Sequence, residues 1–249
     1  MKIAVCVKQV AVLGDEVEFT SDERDVDPDY LDRALNEWDA AATEEALQIR
    51  ERLGEGEVVV VSAGEDEAEA ALRRCLAMGA DRAVRVAGRF EDPFTVARAL
   101  ADAVGREEPH LVLCGVQSSD SVQAATGTAL AELLGLARVA VVTKVELADG
   151  RATVDRELEG GLVDVVEVDL PAVLTIQTGI NQPRYATLRA IKQAEQQEIA
   201  VVEPAGGAEP AYRVRRMFSP LKGEGAEILQ GGPAEIAQRI GEIVRERLQ

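Results

Sequence analysis

Residues 57–62, Glu-Val-Val-Val-Val-Ser, and residues 110–114, His-Leu-Val-Leu-Cys, are almost continuously apolar. Runs of this kind are typical of parallel strands that are covered on both faces. Two shorter apolar runs occur at residues 2–7 and 83–86. Helical patterns separate or follow these runs, at residues 32–53, 66–78, 94–104 and about 122–134. The alternation predicts a doubly wound, Rossmann-like α/β fold with a parallel sheet and right-handed crossovers.

The pattern changes after about residue 138. Strand-like runs at Val139–Leu147 and Ala152–Leu158 flank Asp149-Gly150, a strong signal for a tight turn between two strands. A third run, Leu162–Leu170, alternates between apolar and polar residues. We therefore expect a late antiparallel strand insertion within the α/β domain.

The composition changes again near residue 204. Residues 204–210, Pro-Ala-Gly-Gly-Ala-Glu-Pro, predict a flexible linker. An extended arm follows, and then a helix from about Pro233 to Arg247 with one apolar face. Such a helix needs a surface to pack on, which its own domain or a partner would provide. The prediction is an α/β nucleotide-binding domain at 1–203 and a linker, arm and C-terminal helix at 204–249.

Composition excludes several classes of protein. The 249 residues include 47% apolar and 29% charged residues, which fits neither a disordered nor a collagen-like chain. No apolar run approaches the roughly 18 residues of a membrane span, and the N-terminus lacks a secretory signal. The net charge of −18 works against nucleic-acid binding. Three cysteines without paired spacing predict no disulfide framework, and Cys6 and Cys114 are expected to be buried thiols of a cytoplasmic protein.

Candidate ligand-binding residues follow the apolar run at residues 110–114. They lie in Gly115-Val-Gln-Ser-Ser-Asp-Ser121. Ligands of open α/β sheets bind beyond the carboxyl ends of the strands. Gly115 would let the backbone approach a ligand, and Ser and Asp before a helix are capping residues beside free N–H groups that favour an anion. Thr126 and Gly127 lie about one turn further on. These residues fit a phosphate cradle, but taken alone they favour the simpler interpretation, an ordinary capped helix. Neither a P-loop nor a GxGxxG motif is present.

No catalytic constellation is predicted. His110 is the only histidine, precedes a strand and is expected to be structural; no Ser–His, Cys–His or metal-ligand cluster is suggested. Asp39, Glu44 and Glu45 are expected to form a solvated helix face. Trp38, the only tryptophan, is expected to anchor a core or an interface. Any chemistry would therefore come from a cofactor.

Several stretches of the sequence match motifs of one protein family, and they occur in the same order as in that family. They are Lys2-Ile-Ala-Val-Cys-Val-Lys-Gln-Val10, Leu35-Asn-Glu-Trp-Asp39 before Glu44-Glu-Ala-Leu47, Ala77-Met-Gly-Ala-Asp-Arg82, Gly115-Val-Gln-Ser-Ser-Asp120, Thr126-Gly127, Leu170-Pro-Ala-Val173 and Asn181-Gln-Pro-Arg-Tyr-Ala-Thr-Leu188. Over roughly residues 2–194, the chain thus resembles the beta subunit of an electron transfer flavoprotein.

This resemblance implies an electron carrier rather than an enzyme. In the family, an alpha subunit pairs with beta and holds most of the electron-carrying FAD at the interface. Beta commonly buries an AMP, and in electron-bifurcating relatives a second FAD takes its place. The implied partners are the alpha subunit, to which the 204–249 segment would attach, flavin-dependent dehydrogenases, and a quinone reductase or another acceptor.

The resemblance also implies roles for individual residues. The implied cofactor-binding residues are Cys6, Asn36, Trp38, Ala63, Gly115, Gln117, Ser118, Asp120, Ser121, Ala124, Ala125, Thr126, Gly127 and Thr128. Trp38 aligns where the family has an aromatic residue near the flavin held by alpha. The implied partner-docking residues are Pro183, Arg184, Tyr185 and Leu188.

The chain departs from the family pattern at four places. Glu37-Trp38 replaces the usual Pro-Phe/Tyr, and Ala125 replaces a glutamine of the nucleotide segment. An Asp-Gly-Asp-Thr segment of bifurcating members is missing, which favours AMP over a second FAD. Residues 193–198 replace a lysine-rich run, which predicts a different redox partner. The alternatives are a non-redox adenine-nucleotide-binding domain, which the 205–249 arm disfavours, and a hydrolase or ligase, which lacks an activating motif.

Overall fold

The computed structural model describes residues 1–14, 16–206, 209–220, 225–226 and 228–248. The chain divides into two compact units, Met1–Arg216 and Met217–Gln249. The first unit therefore includes the described part of the predicted linker and the beginning of the arm. Residues 207–208 of the linker, and residues 221–224 and 227 of the arm, lie outside the described residues.

The described residues form eleven strands and six α-helices. The strands are β1 (Lys2–Cys6), β2 (Gln9–Leu13), β3 (Leu31–Leu35), β4 (Glu57–Gly64), β5 (Arg82–Ala87), β6 (Leu111–Gly115), β7 (Ala137–Ala148), β8 (Arg151–Glu157), β9 (Val163–Asp169), β10 (Ala172–Ile176) and β11 (Ile199–Val202). The helices are α1 (Glu37–Leu53), α2 (Glu69–Met78), α3 (Pro93–Arg106), α4 (Thr126–Leu134), α5 (Leu188–Gln196) and α6 (Pro233–Arg247).

Nine of the strands form one sheet in the order β11-β5-β4-β1-β6-β10-β7-β8-β9. The seven strands from β11 to β7 are parallel, and β8 and β9 complete the sheet in antiparallel order. This arrangement confirms the predicted Rossmann-like α/β fold with a late antiparallel insertion. The turn predicted at Asp149-Gly150 is also confirmed, because Ala148 pairs with Arg151.

Two hydrophobic clusters cover the two faces of the sheet. Side chains of successive strand residues point to opposite faces, so that Ile3 and Val5 of β1 join one cluster while Ala4 and Cys6 join the other. The first cluster receives residues of α1 and α2, and the second receives residues of α3 and α4. Burial on both faces explains the continuous apolar runs of β4 and β6.

The sequence-based boundaries differ from the structure in three places. The helix predicted from residue 32 begins at Glu37, because Leu31–Leu35 instead pairs with β2 as a separate antiparallel hairpin. The segment predicted as wholly antiparallel begins with β7, which runs parallel to β10 before it turns into β8. Helix α5, which carries mixed polar and apolar residues, and strand β11, a run of only four residues, are not predicted from the sequence.

The second unit contains helix α6, as the sequence predicts. Pro233 occupies its first turn, and the Glu235 carboxylate accepts a hydrogen bond from Gly232 N at 2.8 Å. Ile240 and Val244 on its apolar side are each about half exposed. That this helix packs on a partner subunit stays a prediction.

Helix α4 approaches the sheet closely through Gly127. A Cβ atom at this glycine would lie 2.5 Å from Cys114 Sγ and 2.7 Å from Thr175 Cγ2. Both neighbours belong to strands of the sheet centre, β6 and β10, and Cys114 is buried. Only glycine therefore lets the beginning of α4 rest directly on these two strands.

We expect Gly127→Ala to lower the free energy of unfolding by about 1–3 kcal/mol, because the added methyl overpacks this contact. The matched control is Gly105→Ala in α3, where the new Cβ would lie 3.7 Å from Leu134 Cδ2, an ordinary contact. Alanine is the better helix former, so this control should be neutral or more stable. Urea denaturation measures both, and equal stabilities of the two variants would contradict the close contact at Gly127.

Candidate functional site

The sheet changes its winding direction between β1 and β6. From β1 the chain fills the sheet towards β4 and β5, and it then crosses to β6 and β10 on the other side. Cys6 and Cys114 lie opposite each other in register near the ends of the two strands. Open α/β sheets bind ligands outside the carboxyl ends of the strands at such a point. The residues that follow β1 and β6 therefore form the candidate site.

The first turn of α1 enters this point and holds the surrounding loops. Asn36 donates from Nδ2 to the carbonyl oxygen of Gln117 at 2.8 Å, and its Oδ1 accepts from Ser119 N at 3.3 Å. Trp38 Nε1 donates to Gln177 Oε1, just after β10, at 2.8 Å. One helical turn thus fixes both the loop after β6 and the end of β10.

Asp39, in the same turn, joins the ends of β1 and β6. Its Oδ2 accepts from Lys8 N at 2.8 Å and its Oδ1 from Gly115 N at 2.9 Å. Burial raises the pKa of Asp39 to about 7 and outweighs the hydrogen bonds that lower it. A Cβ atom at Gly115 would lie 2.5 Å from both Asp39 Oδ1 and Trp38 Cβ. Gly115 is therefore needed for the approach of this helix, and its role in the approach of a ligand stays a prediction.

The expectation of a solvated acidic face at Asp39, Glu44 and Glu45 is wrong, because all three residues are buried. Each carboxylate has donors from a distant part of the chain. Glu44 accepts from Arg184, and Glu45 accepts from Arg52 and from Asn181 Nδ2. Buried charges of this kind are stable only when they are paired and hydrogen-bonded.

Polar groups converge in the loop after β6. Lys8 Nζ lies 2.6 Å from Asp120 Oδ1 and 3.3 Å from Ser118 Oγ, and the hydroxyls of Ser118 and Ser121 are 2.8 Å apart. Partial burial raises the pKa of Asp120, but the hydrogen bond and charge of Lys8, together with hydrogen bonds from Ser118 and the Ala11 main chain, lower it below its usual value. An ammonium group and two hydroxyls therefore lie together in this loop.

The helix predicted from about Val122 begins later, at Thr126. Val122 and Ala124 adopt left-handed backbone conformations, with φ of 52° and 50°, which a right-handed helix cannot include. The cap position belongs to Ala125, which provides no side-chain hydrogen bond, so that the predicted capping by Ser121 and Asp120 is wrong. The first N–H groups of α4 thus lack a side-chain cap and can receive an anion. Strained non-glycine residues of this kind cluster at functional sites.

The structure brings most of the predicted cofactor-binding residues to this loop. Asn36, Gln117, Ser118, Asp120 and Ser121 join one hydrogen-bonded group. Ala124 and Ala125 precede α4, and Thr126, Gly127 and Thr128 form its first turn.

The remaining predicted cofactor residues lie at neighbouring strand ends. Cys6 is at the end of β1, and Ala63, near the end of β4, packs against the same hydrophobic cluster. Burial, with a smaller contribution from the charge of Asp39, raises the pKa of Cys6 to about 12, so this thiol is neutral. Trp38 is half-buried and is held through Gln177.

Sequence reasoning missed four residues of this site. Lys8 and Asp39 contact the loop directly, and Gln177 holds Trp38. Tyr212, from the start of the arm, donates its hydroxyl to Gln123 Oε1. The position of Lys8 directly after the first predicted strand could have indicated that it belongs to the site. The other three residues could not be assigned in this way, because their partners are far away in the sequence.

The predicted docking residues form a second region. Arg184 donates to Glu44 at 2.8 and 2.9 Å and to Glu51 at 2.6 Å, which attaches its segment to α1. Tyr185 and Leu188 project from that segment and are 87% and 80% exposed. A cleft of about 570 Å³ borders Pro183, Arg184 and Tyr185 and none of the predicted cofactor residues.

No group of three or more His, Cys, Asp or Glu side chains among the described residues is arranged to hold a metal ion. None of the described helices combines the length and apolar character that crossing a membrane requires.

Comparison with known proteins gives a consistent result. The sequence profile of the Electron transfer flavoprotein domain matches residues 26–206. The Electron transfer flavoprotein subunit beta of Methylophilus methylotrophus is 45% identical over 261 residues, which cover 99% of this chain and 98% of that protein. The protein of the same name from Syntrophomonas wolfei is 35% identical over 250 residues, with 100% and 98% covered. The mitochondrial subunit beta of Oryza sativa is 39% identical over 209 residues, 82% of each chain.

We expect Arg184→Ala to lower the free energy of unfolding by up to about 3 kcal/mol at neutral pH, because it leaves the buried Glu44 carboxylate without its cation. Burial raises the pKa of Glu44, but the hydrogen bonds and charge of Arg184 help to bring it below the ordinary 4.5. The advantage of the wild type should therefore be complete above pH 4.5 and disappear as the pH falls through the lowered pKa of Glu44.

Thermal denaturation at several pH values measures this effect, and hydrogen exchange of residues 182–188 should become faster in the variant. The control is Arg189→Ala, an exposed neighbour. A loss of stability that is equal in the two variants, or that does not depend on pH, would contradict the role of the Arg184 pair.

Proposed function

The chain belongs to the electron transfer flavoprotein family as a beta subunit, and from this premise we propose three specific properties. It forms a heterodimer with an alpha subunit, and the heterodimer carries electrons from flavin-dependent dehydrogenases to a quinone reductase or another acceptor. The electron-carrying FAD is held mainly by alpha at the interface. This chain buries one adenine nucleotide, AMP in preference to a second FAD.

The nucleotide assignment rests on the loop after β6 and the beginning of α4. The first turn of α4 has no side-chain cap, and Val122 and Ala124 precede it in left-handed conformations. Lys8, Ser118 and Ser121 bring an ammonium group and two hydroxyls to the same loop. This set of donors fits the phosphate of a nucleotide, with Thr126 and its neighbours donating from the main chain.

The free energy of nucleotide binding requires contacts beyond those to the phosphate. A helix N-terminus stabilises an anion by about 0.3–1 kcal/mol, and by up to about 2 kcal/mol when it is partly buried. Binding at micromolar concentration requires about 8 kcal/mol. The net charge of the chain is −18 and Lys8 is already paired with Asp120, so burial of the adenine ring near the ends of β1 and β6 would supply the rest.

Trp38 is the residue that we propose to lie against the edge of the FAD. Its indole N–H is occupied by Gln177, so that the ring is held in one orientation. The bound flavin supplies the electron-transfer chemistry, and the aromatic wall would exclude water from it and help to set its potential. No side chain of this subunit is proposed to act as an acid, a base or a nucleophile.

The segment around Leu188 is the proposed docking site for the dehydrogenase. Tyr185 and Leu188 expose large apolar surfaces, while Arg184 fixes the same segment to α1. Exposed aromatic side chains such as Tyr185 are typical anchors of protein interfaces, and a neighbouring exposed apolar side chain such as Leu188 enlarges the apolar patch that marks such a site. This arrangement supports a contact in which the partner encloses Leu188.

The heterodimer purified after co-expression with its alpha subunit should contain one FAD and one AMP. Absorption between 350 and 500 nm, roughly where flavins absorb, detects FAD, and mass spectrometry of the denatured complex identifies both nucleotides. Thr126→Val should lower the AMP content, because it removes the hydroxyl of the first residue of α4, which we place beside the phosphate, while Thr153→Val in β8 should not. Two FAD and no AMP would refute the nucleotide assignment, and a colourless complex with AMP would favour the non-redox alternative.

We expect Leu188→Ala to slow electron exchange with the dehydrogenase about tenfold, which is the effect of removing one interface anchor. The flavin spectrum should stay unchanged, because Leu188 is assigned to docking and not to the flavin site. Stopped-flow reduction of the heterodimer measures the rate. Leu162→Ala, at an exposed leucine beside β9, is the control. An unchanged rate for Leu188→Ala would remove this residue from the docking site.

A further inference from the structure

Asp39 is the most buried charged group beside the proposed nucleotide site, and none of the proposed nucleotide contacts includes it. Its side chain belongs to a residue that is only 5% exposed. Both carboxylate oxygens are occupied by main-chain N–H groups, at 2.8 Å from Lys8 N and 2.9 Å from Gly115 N. The carboxylate therefore faces the protein main chain.

The two donors are the points at which the chain leaves the sheet. Gly115 is the last residue of β6, and Lys8 comes two residues after the end of β1. From Gly115 the chain continues into the loop of Ser118 and Asp120, and the Lys8 ammonium reaches back to both of those side chains. The position of Asp39 consequently determines how the two parts of the phosphate-binding loop meet.

Resting on the proposed function, we infer that Asp39 is the positioning residue of the nucleotide site. It holds the chain after β1 and the end of β6 at the spacing that brings Lys8 to residues 118–121, and it does so without touching the nucleotide. The alternative is an ordinary buried carboxylate, whose loss would lower stability but would have no specific effect on the site.

The chain offers a matched control for this distinction. Asp81 Oδ2 accepts from Val58 N at 2.8 Å and from Arg50 Nη1 at 2.7 Å. Like Asp39, it uses a carboxylate to hold the main chain of a central strand. It does so near the beginning of β4, at the amino ends of the parallel strands and away from the carboxyl ends that border the proposed site, and its side chain is 42% exposed. Asp81→Asn therefore tests the general cost of disturbing such a contact.

Asp39→Asn keeps the size of the side chain and changes its hydrogen-bonding pattern. One oxygen becomes an NH₂ group, which faces a main-chain N–H and cannot accept from it. Either Lys8 N or Gly115 N then loses its partner, and the two strand ends are no longer held together. We expect exchange of bound nucleotide to become at least about tenfold faster, the consequence of losing one buried hydrogen bond.

Trp38 provides a spectroscopic signal from the same helical turn. It is the only tryptophan of the chain, and its indole N–H contacts Gln177. Asp39→Asn should shift its emission, whereas Asp81→Asn should not. The Trp38→Phe complex supplies the background from the alpha subunit, which is subtracted from each spectrum.

The experiment uses the purified heterodimer and isotopically labelled AMP. The rate at which labelled AMP replaces bound AMP is measured for the wild type, Asp39→Asn and Asp81→Asn, together with melting temperature and Trp38 emission. Fast exchange and shifted emission in Asp39→Asn alone support the inference, even where both variants melt at lower temperature. Equal exchange rates and unshifted emission in the two variants would overturn it.

Three further outcomes are also decisive. If Asp39→Asn fails to assemble, Asp39→Ser, which is smaller and keeps one oxygen acceptor, undergoes the same comparison, and wild-type exchange in that variant would overturn the inference. If the wild-type heterodimer contains no adenine nucleotide, the proposed nucleotide site is itself wrong and the inference fails with it. If the wild type contains AMP but Asp39→Asn exchanges it at the wild-type rate, only the role of Asp39 fails.

Discussion

The Asp39 carboxylate accepts hydrogen bonds from the main chain beside two neighbouring strands, and the arrangement around the candidate site depends on that contact. It draws the first turn of α1 so close to β6 that residue 115 has no room for a side chain. In this position Asn36 reaches the loop after β6, and Trp38 reaches Gln177 after β10. A single helical turn therefore organises three loops, because each of its polar side chains finds its partner on a different element.

The other buried carboxylates of α1 also accept hydrogen bonds from distant segments of the chain. The chain has 45 acidic and 27 basic residues, and some of its carboxylates are buried on α1. Each of these has donors from a remote segment, such as Arg184 for Glu44 and the main chain of Lys8 and Gly115 for Asp39. A buried carboxylate without donors would be costly, so these residues attach distant segments to α1. The segment that presents Leu188 is held to the fold in this way.

The sequence was sufficient to predict the elements whose pattern is local. Strands β4 and β6 are continuous apolar runs because both faces of the sheet are covered, and the turn at Asp149-Gly150 has its own local signal. The start of α4 was missed, because no residue-type pattern indicates that Val122 and Ala124 adopt left-handed conformations. Asp39 was assigned to a solvated face, because the donors that make its burial possible lie 31 and 76 residues away. Resemblance identified the loop residues, and three-dimensional contacts were needed to find the group that holds them.

Under the proposed function, the AMP takes no part in electron transfer. The loop after β6 nevertheless gives a physical reason for it to remain bound. The loop after β6 includes two strained residues and the uncapped start of α4, and these features are unfavourable in an empty loop. A phosphate that accepts hydrogen bonds from the first turn of α4 would offset this cost, and binding to the folded state alone stabilises that state by mass action. The same loop contacts Asn36, the N-cap of α1, which lies two residues before Trp38. The nucleotide would then act as part of the scaffold that keeps the aromatic wall at a constant position beside the flavin.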